Sequence, residues 1–367
     1  MSQSGIYNES KLTWWYAREQ KLPDVPKQVQ VILSDLCNQD CHFCAYRMSG
    51  YSSNQLFMGD SEPAKIGHNN PKRMIPRERA LALLDEIKSA GCLSVQFTGG
   101  GEPTVHPDHE EIFSKALNLG LNCSLVSNGI KWSDNLIKNI LPHFDWVRVS
   151  VDAADKDSYA ATRRVPVAHW DKAWKSVNGL TEAIAIQRAK TTFGLSFVVT
   201  PESWPDILQF AYLALDAGVS NVRFTAMFST DNEEPFLKTY DRIKLLIDKA
   251  KGLATNRFHV YDNFGSRFND LKQHSPDYRT CSYQHYTTYV GGDLNAYRCC
   301  VLAYNKRGKI AGGDLKTRRF DEFWNSDDRK KDFDRFNAKG CARCQFNTKN
   351  RSVLYLMEDK PEHIQWP

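Results

Sequence analysis

The chain has 367 residues, 41% of them apolar and 25% charged, with a formal net charge of +5. That length and composition suit one large α/β domain, or a core with a smaller module, able to bury a real hydrophobic interior. No run approaches about eighteen consecutive apolar residues, so a membrane-spanning helix is excluded, and residues 1–30 lack the apolar stretch of a secretory signal; a cytoplasmic location is expected. Basic residues interleave with acidic ones, which permits an anionic substrate without giving a nucleic-acid footprint.

In chain order, VQVIL at 29–33 reads as a buried strand that delivers its loop to Cys37. The polar stretch 45–76 has the length of a lid or binding segment. A periodic helix at 77–90 stops at Gly91, and LSVQFTGGGEPT at 93–104 is a strand running into a glycine turn. The alternation continues with a helix at 110–118, a strand at 123–126, a helix from 134 and a strand at 146–151. A helix near 170–189, a strand at 192–199, a helix at 207–217 and a strand at 221–224 complete it. Six strands, each but the last followed by a helix, imply a parallel sheet with ligands at its C-terminal edge. Six units suit a partial barrel rather than a closed eight-stranded one. A further amphipathic helix near 236–250 leads to the cysteine-rich end. The expected plan is an N-terminal extension at 1–28, a partial (β/α)6 barrel at 29–230, a helical linker at 231–275, a small cysteine-rich domain at 276–350 and a tail at 351–367.

Ten cysteines fall into two groups. Cys37, Cys41 and Cys44 form CNQDCHFC directly after the first strand. Cys281, Cys299, Cys300, Cys341 and Cys344 lie far downstream, while Cys92 and Cys123 stand alone beside strands, as small buried hydrophobes do. In a reducing compartment such clusters point to metal or redox chemistry. Three thiolates on one tight loop can hold three corners of a cubane and leave one iron open, the mark of a reactive site. Read alone, the same triplet also fits a zinc knuckle or incidental cysteines.

The C-x3-C-x2-C spacing, with Phe43 before its last cysteine, resembles the radical S-adenosylmethionine (SAM) superfamily. TGGGEPT at 98–104 is similar to that family's glycine-glycine-glutamate motif. The resemblance implies a SAM-bound [4Fe–4S] cluster on Cys37, Cys41 and Cys44, and a methionyl amino group held by Gly100, Gly101 and Glu102. It places Ser127 with Asn128, and Ser150 or Asp152, at cofactor-facing strand ends; as plain polar residues they could equally cap the next helix. Arg163 or Arg164 is the candidate partner for the SAM carboxylate, the alternative being a surface arginine. One-electron cleavage of SAM to a 5′-deoxyadenosyl radical and hydrogen abstraction from a substrate carbon are the implied chemistry, with a reductase, flavodoxin or ferredoxin-type electron donor as the implied partner.

The C-terminal cysteines surround YVGGDLNAYRCC, a hairpin pattern, and AGGDLKTRRFDEFWNSDDRKKDF, a glycine turn followed by a helix. This resembles the twitch domain, the shortened relative of the SPASM domain, and implies one auxiliary [4Fe–4S] cluster on Cys281, Cys299, Cys341 and Cys344, with Cys300 a near-equal alternative to Cys299; four-cysteine zinc is the rival. A fully ligated cluster has no vacant iron, which points to electron transfer and to oxidation of a substrate radical, as in family members that dehydrogenate aminocyclitol alcohols. Redox-neutral rearrangement would use the same core.

For the substrate, the aromatic, amide and basic residues of the 45–76 loop (Tyr46, Arg47, Tyr51, Asn54, Phe57, His68, Asn69, Asn70, Lys72, Arg73) suit a sugar, a nucleoside or a modified base as well as a solvated loop. Trp14 and Trp15 read as anchors for the N-terminal extension. The leading expectation is radical chemistry on a polar small molecule or nucleotide-like group, an oxidoreductase or mutase reaction. Nucleic acid as the carrier of that group has no motif behind it. Peptide or protein modification is the second reading, weakened by the short extension before the first strand. A non-catalytic metal-binding or electron-transfer protein is the third.

Overall fold

The computed structural model describes residues 11–46 and 74–358. Among the described residues ten strands form one sheet: β1 (Gln28–Val31), β2 (Ser94–Phe97), β3 (Asn122–Ser127), β4 (Trp146–Ser150), β5 (Thr192–Val199), β6 (Asn221–Ala226), β7 (His259–Asp262), β8 (Thr287–Val290), β9 (Asn295–Tyr297) and β10 (Lys309–Asp314). Their spatial order is β10-β9-β8-β1-β2-β3-β4-β5-β6-β7, parallel from β8 through β1 to β7 and antiparallel in the β8-β9-β10 arm. The helices are α1 (Lys11–Glu19), α2 (Arg77–Ser89), α3 (His109–Asn118), α4 (Lys156–Arg163), α5 (Ala168–Gln187), α6 (Ile207–Asp216), α7 (Tyr240–Lys251), α8 (Phe264–Gln273), α9 (Tyr283–Tyr286), α10 (Phe320–Asn325), α11 (Asp327–Arg335) and α12 (Asn347–Met357). No helix among the described residues is long and apolar enough to cross a membrane.

Strand chemistry explains the curvature of the site. Val29, Val31, Val95, Phe97, Leu125, Val147, Val149, Phe193, Leu195 and Phe197 are buried in one continuous core. The alternate positions are polar and lie in register: Gln30 pairs with Gln96, Gln96 with Ser124, and Ser124 with Trp146. Further along, Arg148 pairs with Gly194, and Ser150 with Ser196 and then Arg223. A parallel sheet covered on both faces would read as continuous apolar runs; this one keeps a polar concave face for a ligand.

The helices follow from equally local causes. Ala80, Leu83, Leu84 and Ile87 give α2 a buried stripe at helical spacing, and the chain leaves it through Gly91 at φ +90°. Asp155 starts α4 with a capping box, its carboxylate accepting from the Asp157 and Ser158 amides at 2.8 and 2.9 Å.

Three elements differ from the sequence reading. The expected helical linker contains β7, a seventh parallel strand on β6; HVYD is too short and too evenly half-buried to announce itself. The helix expected from 134 is a π-turn at Leu136–Ile140 followed by a 3₁₀ turn at Leu141–His143, because Pro142 removes an amide donor. The glycine turn near 311–314 is part of β10, where Gly312 sits at φ +72° beside a register shift.

The small C-terminal domain is also fastened from outside the sheet. Arg79 grips Glu86 through two 2.9 Å hydrogen bonds and donates to the Leu315 carbonyl, while Glu86 accepts the Phe320 amide at 2.8 Å.

Candidate active site

The C-terminal ends of β1 to β6 open into a cleft of about 790 Å³. Cys37, Cys41, Phe43, Cys44, Gly100, Gly101, Glu102, Ser127, Asn128, Ser150, Asp152 and Arg163 all line it, so the sequence-expected site residues are brought together. Arg164 is outside this group, largely exposed and 3.9 Å from Asp40. Of the 45–76 loop, Tyr46 is described; Arg47, Tyr51, Asn54, Phe57, His68, Asn69, Asn70, Lys72 and Arg73 lie outside the described residues.

The loop carrying Cys37, Cys41 and Cys44 is held from two sides. On one, the Gly101 and Glu102 amides donate to the Ser34 and Leu36 carbonyls at 3.1 and 2.9 Å. A Cβ on Gly101 would collide with the Leu36 carbonyl, so glycine is what allows this approach. On the other, the amides of Asp40 and His42 donate to the carbonyls of Arg163 and Thr162 at 3.1 and 3.2 Å. The Arg163 guanidinium is buried; it pairs with Asp152, donates to Gln39, reaches the Val151 carbonyl at 3.2 Å and lies 3.7 Å from the Cys41 sulfur. Gln39 in turn donates to the Tyr159 hydroxyl at 2.8 Å. Asp152, at φ +63°, completes the arrangement by accepting the Val198 amide at 2.7 Å. Phe43 makes an edge contact with His42.

Glu102 is buried and tied to the neighbouring strand ends. It accepts the Thr104 hydroxyl and the Ser127 hydroxyl at 2.7 Å each and the Asn128 amide at 2.8 Å. Ser127 also accepts from Gly129 and from the Trp132 indole at 3.0 Å, so its hydroxyl organises a turn. The Ser150 hydroxyl meets that of Ser196 at 3.1 Å. Asn128 donates to Asn38, between the cysteines, at 2.6 Å.

These residues fit a cubane with an open corner. The thiols share one loop, burial pushes Cys37 up to about 12 and Cys41 upward, and bound iron would supply the charge that deprotonates them. Among the described residues no three His, Cys, Asp or Glu side chains close on one point as a single ion's cage does.

Cys281, Cys299, Cys341 and Cys344 line a second recess with Tyr278, Arg298, Phe336 and Phe346. Burial lifts Cys281 to about 11 and Cys344 to about 12. Cys300 is not in that recess. Its sulfur accepts the Gln345 side-chain amide at 2.9 Å and lines the large cleft instead. The adjacent pair that the sequence left open is therefore divided between two pockets by the extended backbone of Cys299 and the tight turn that starts at Cys300. Tyrosines span the gap between the cysteine loops: Tyr46 meets Tyr289 at 2.6 Å, Tyr289 donates to the Gly99 carbonyl at 2.7 Å, and Tyr304 donates to Asp35.

Sequence reasoning missed Gln39 and the cleft arginines Arg148, Arg223 and Arg267. Two of them carried a signal: an arginine at the centre of a strand whose alternate positions are buried and apolar, as in WVRVS and NVRFTA, marks a wet inner face.

Residues 31–211 match the radical SAM superfamily, and residues 281–345 match an iron–sulfur cluster-binding domain of the SPASM type. Two proteins named S-adenosylmethionine-dependent nucleotide dehydratase are similar in sequence. The one from Flammeovirga pacifica is 23% identical over 64% of this chain and 79% of its own length. That from Lacinutrix mariniflava is 23% identical over 70% of this chain, which spans about half of it, 52%. Among solved structures, Streptococcus suis SuiB bound to S-adenosylmethionine superposes with a TM-score of 0.62 at 14% identity, covering 96% of this chain and 78% of that one. Native anSMEcpe with bound AdoMet gives 0.56 at 16% identity, covering 90% and 96%. At these identities the structural likeness speaks to the fold.

Proposed function

The chain belongs to the radical SAM superfamily and carries a SPASM-type iron–sulfur domain, and from that premise we propose that it removes a hydrogen atom from a nucleotide-like substrate bound in the 790 Å³ cleft. The observation that carries the reading is the cleft wall itself: the loop of Cys37, Cys41 and Cys44 shares it with the cations Arg148, Arg223, Arg267 and Lys349. Counted over the whole wall, seven cations (Lys11, Lys27, Arg148, Arg163, Arg223, Arg267 and Lys349) face four acids (Glu102, Asp145, Asp152 and Asp270), of which Asp152 is paired with Arg163. A net positive, partly enclosed cleft concentrates an anionic substrate, and the names of the two sequence relatives agree with a nucleotide.

The cluster on Cys37, Cys41 and Cys44, when bound with SAM, supplies one-electron cleavage of a carbon–sulfur bond and a 5′-deoxyadenosyl radical. The chain's own residues do the positioning. Backbone at Gly99–Gly101 meets the cluster loop closely enough to present its polar groups to SAM, and Arg163 with Gln39 fixes the loop at Cys41. Glu102 acts through Ser127 and Asn128, holding two strand ends at one height. Trp146 and Arg148, stacked at 4.9 Å on β4, give the cleft a flat surface suited to a base. Cys281, Cys299, Cys341 and Cys344, which line one recess, would hold an auxiliary cluster, and such a cluster with all four ligands from the chain would supply electron transfer.

The test is anaerobic reconstitution with iron and sulfide counted, followed by reduction and measurement of 5′-deoxyadenosine in the presence of ribonucleoside and deoxyribonucleoside triphosphates, nucleosides, or mixed peptides. About eight irons per chain and cleavage accelerated by a nucleotide support the reading. Acceleration by peptides and by no nucleotide would replace it with peptide modification, and bound zinc without SAM cleavage would remove the enzyme reading. One SAM consumed per product, with the priming electron returned from the substrate radical, marks oxidation, whereas product formed without net consumption of SAM or reductant marks redox-neutral rearrangement.

A further inference from the structure

Arg267, on α8, is 4% exposed and has a guanidinium only partly used. Its Nη1 donates to the Arg343 carbonyl at 3.3 Å, and the Asp270 carboxylate stands off at 3.8 Å. The plane stacks on Phe228 at 4.1 Å. Nε and Nη2 are buried and have no acceptor among the described residues. Those two atoms form one edge of the guanidinium, the edge that meets two oxygens of one anion with parallel hydrogen bonds. Arginine cannot shed its proton to relieve the mismatch. A buried donor without an acceptor is costly, and here two such donors lie side by side.

What surrounds this edge has the same polarity. Asn263 and Ser266 at the start of α8, and Thr348 and Lys349 at the start of α12, line the same cleft as Arg267. Neither helix has an acidic residue in its first turn; at α8 the Gly265 amide is taken by the Asp262 carboxylate at 3.1 Å, while the start of α12 has no side-chain cap. The two starts are held together, since Asn347 donates to Asp270 at 3.0 Å and to the Cys344 carbonyl at 2.9 Å. That bond holds Asp270 Oδ1, and Oδ2 faces Nη1 of Arg267 at 3.8 Å, so this acid pairs with the Nη1 side and leaves the Nε–Nη2 edge without an acceptor. Helix N-termini and an unfilled arginine fork together make an anion site.

We propose that the Nε–Nη2 edge of Arg267, with the starts of α8 and α12, is the subsite that takes the phosphate group of the substrate. The assignment rests on the nucleotide reading and adds an address to it: the phosphate lies against the wall shared with Cys300 and Gln345, and the nucleoside extends along the polar strand face toward the Cys37–Cys44 loop. Phosphate suits the site better than carboxylate because the guanidinium edge, the helix starts and Lys349 together offer more donors than two oxygens use.

The experiment is calorimetric titration of the reconstituted, unreduced holoenzyme with four probes: a ribonucleoside 5′-triphosphate mixture, the matching nucleosides, inorganic tripolyphosphate and succinate. Wild-type protein is expected to bind the triphosphates and tripolyphosphate. Arg267→Gln is expected to weaken both by roughly tenfold or more, the loss of charge-assisted hydrogen bonds, with nucleoside binding unmoved. Arg267→Lys, which keeps the charge without the fork, should recover part of the loss, and Lys349→Ala should produce a smaller one. Iron content and thermal unfolding of each variant show whether the C-terminal domain is intact; if Arg267→Gln loses iron, the Lys variant and Lys349→Ala carry the test. Tripolyphosphate that binds through Arg267 while no nucleotide does upholds the anion subsite and overturns the nucleotide reading. Unchanged triphosphate affinity in the intact variants, preference for succinate, or no binding of any anion by wild type overturns the subsite.

Discussion

Replacing Arg163 tests whether its guanidinium belongs to the cluster loop or to the SAM carboxylate. In the structure it is buried against Asp152, Gln39, Cys41 and the Val151 carbonyl, and stacks on Tyr159 at 5.5 Å. Removing one partner of a buried ion pair strands the other charge, at about 3–5 kcal/mol. With a urea slope of about 3 kcal/mol/M, Arg163→Ala should lower the unfolding midpoint of the metal-free protein by roughly 1–1.7 M. Arg163→Ala combined with Asp152→Ala should recover part of that loss, because no charge is then left stranded. After reconstitution the single variant should hold fewer irons than wild type, since the loop at Cys41 has lost its anchor. A metal-free Arg163→Ala protein as stable as wild type, with normal iron and only weakened SAM binding, would refute this account and give the arginine to SAM.

Three further expectations use other parts of the molecule. Cys299→Ser should reduce bound iron from about eight to about four per chain, while Cys300→Ser should keep about eight; the reverse pattern in an iron assay would exchange their roles. Gly101→Ala forces a methyl group against the Leu36 carbonyl, and overpacking of this kind costs about 1–3 kcal/mol; SAM-dependent formation of 5′-deoxyadenosine should fall with it, and an unaffected rate would show that the loop yields freely. His285 packs edge-on against Phe333, and burial draws its pKa down to about 4 from 6.5. The folded chain thus binds fewer protons than the unfolded chain between those values. The contribution, roughly 3 kcal/mol at most, is complete above about pH 6.5 and lost as pH falls toward 4. Urea midpoints of wild type and His285→Gln should converge over that interval, and parallel pH profiles would show that His285 is not the group responsible.

The parts of the site that the sequence displayed are those encoded locally. A strand followed by CNQDCHFC, or by TGGGEPT, carries both its position and its chemistry in one segment, and the inner-face alternation in WVRVS was there to be read. Long-range pairings left no such trace. Nothing in HVYD names β6 as its neighbour, and nothing in TTYV at Thr287–Val290 names β1. Arg163 and Arg164 are indistinguishable as letters; only the last turn of α4, which buries one and leaves the other exposed in the left-handed region at φ +51°, tells them apart. Cys299 and Cys300 are separated in the same manner, by backbone direction at a single residue. The unfilled edge of Arg267 depends on where Asn347 sends Asp270, a contact between elements 77 positions apart.

The parallel pairing of β8 with β1 sets an order of assembly. Gln28 to Val31 emerge early from the ribosome, yet their partners Thr287 to Val290 follow only after nearly the whole barrel has been made. Until then β1 has β2 on one side and an unpaired edge on the other, a surface open to wrong partners. Closing so distant a contact is entropically slow and comes late in folding. Cells producing this protein should therefore accumulate a barrel-first species that a holding chaperone protects, and a chain stopped before residue 281 should aggregate through its first strand. Adding the missing C-terminal segment in trans should suppress that aggregation.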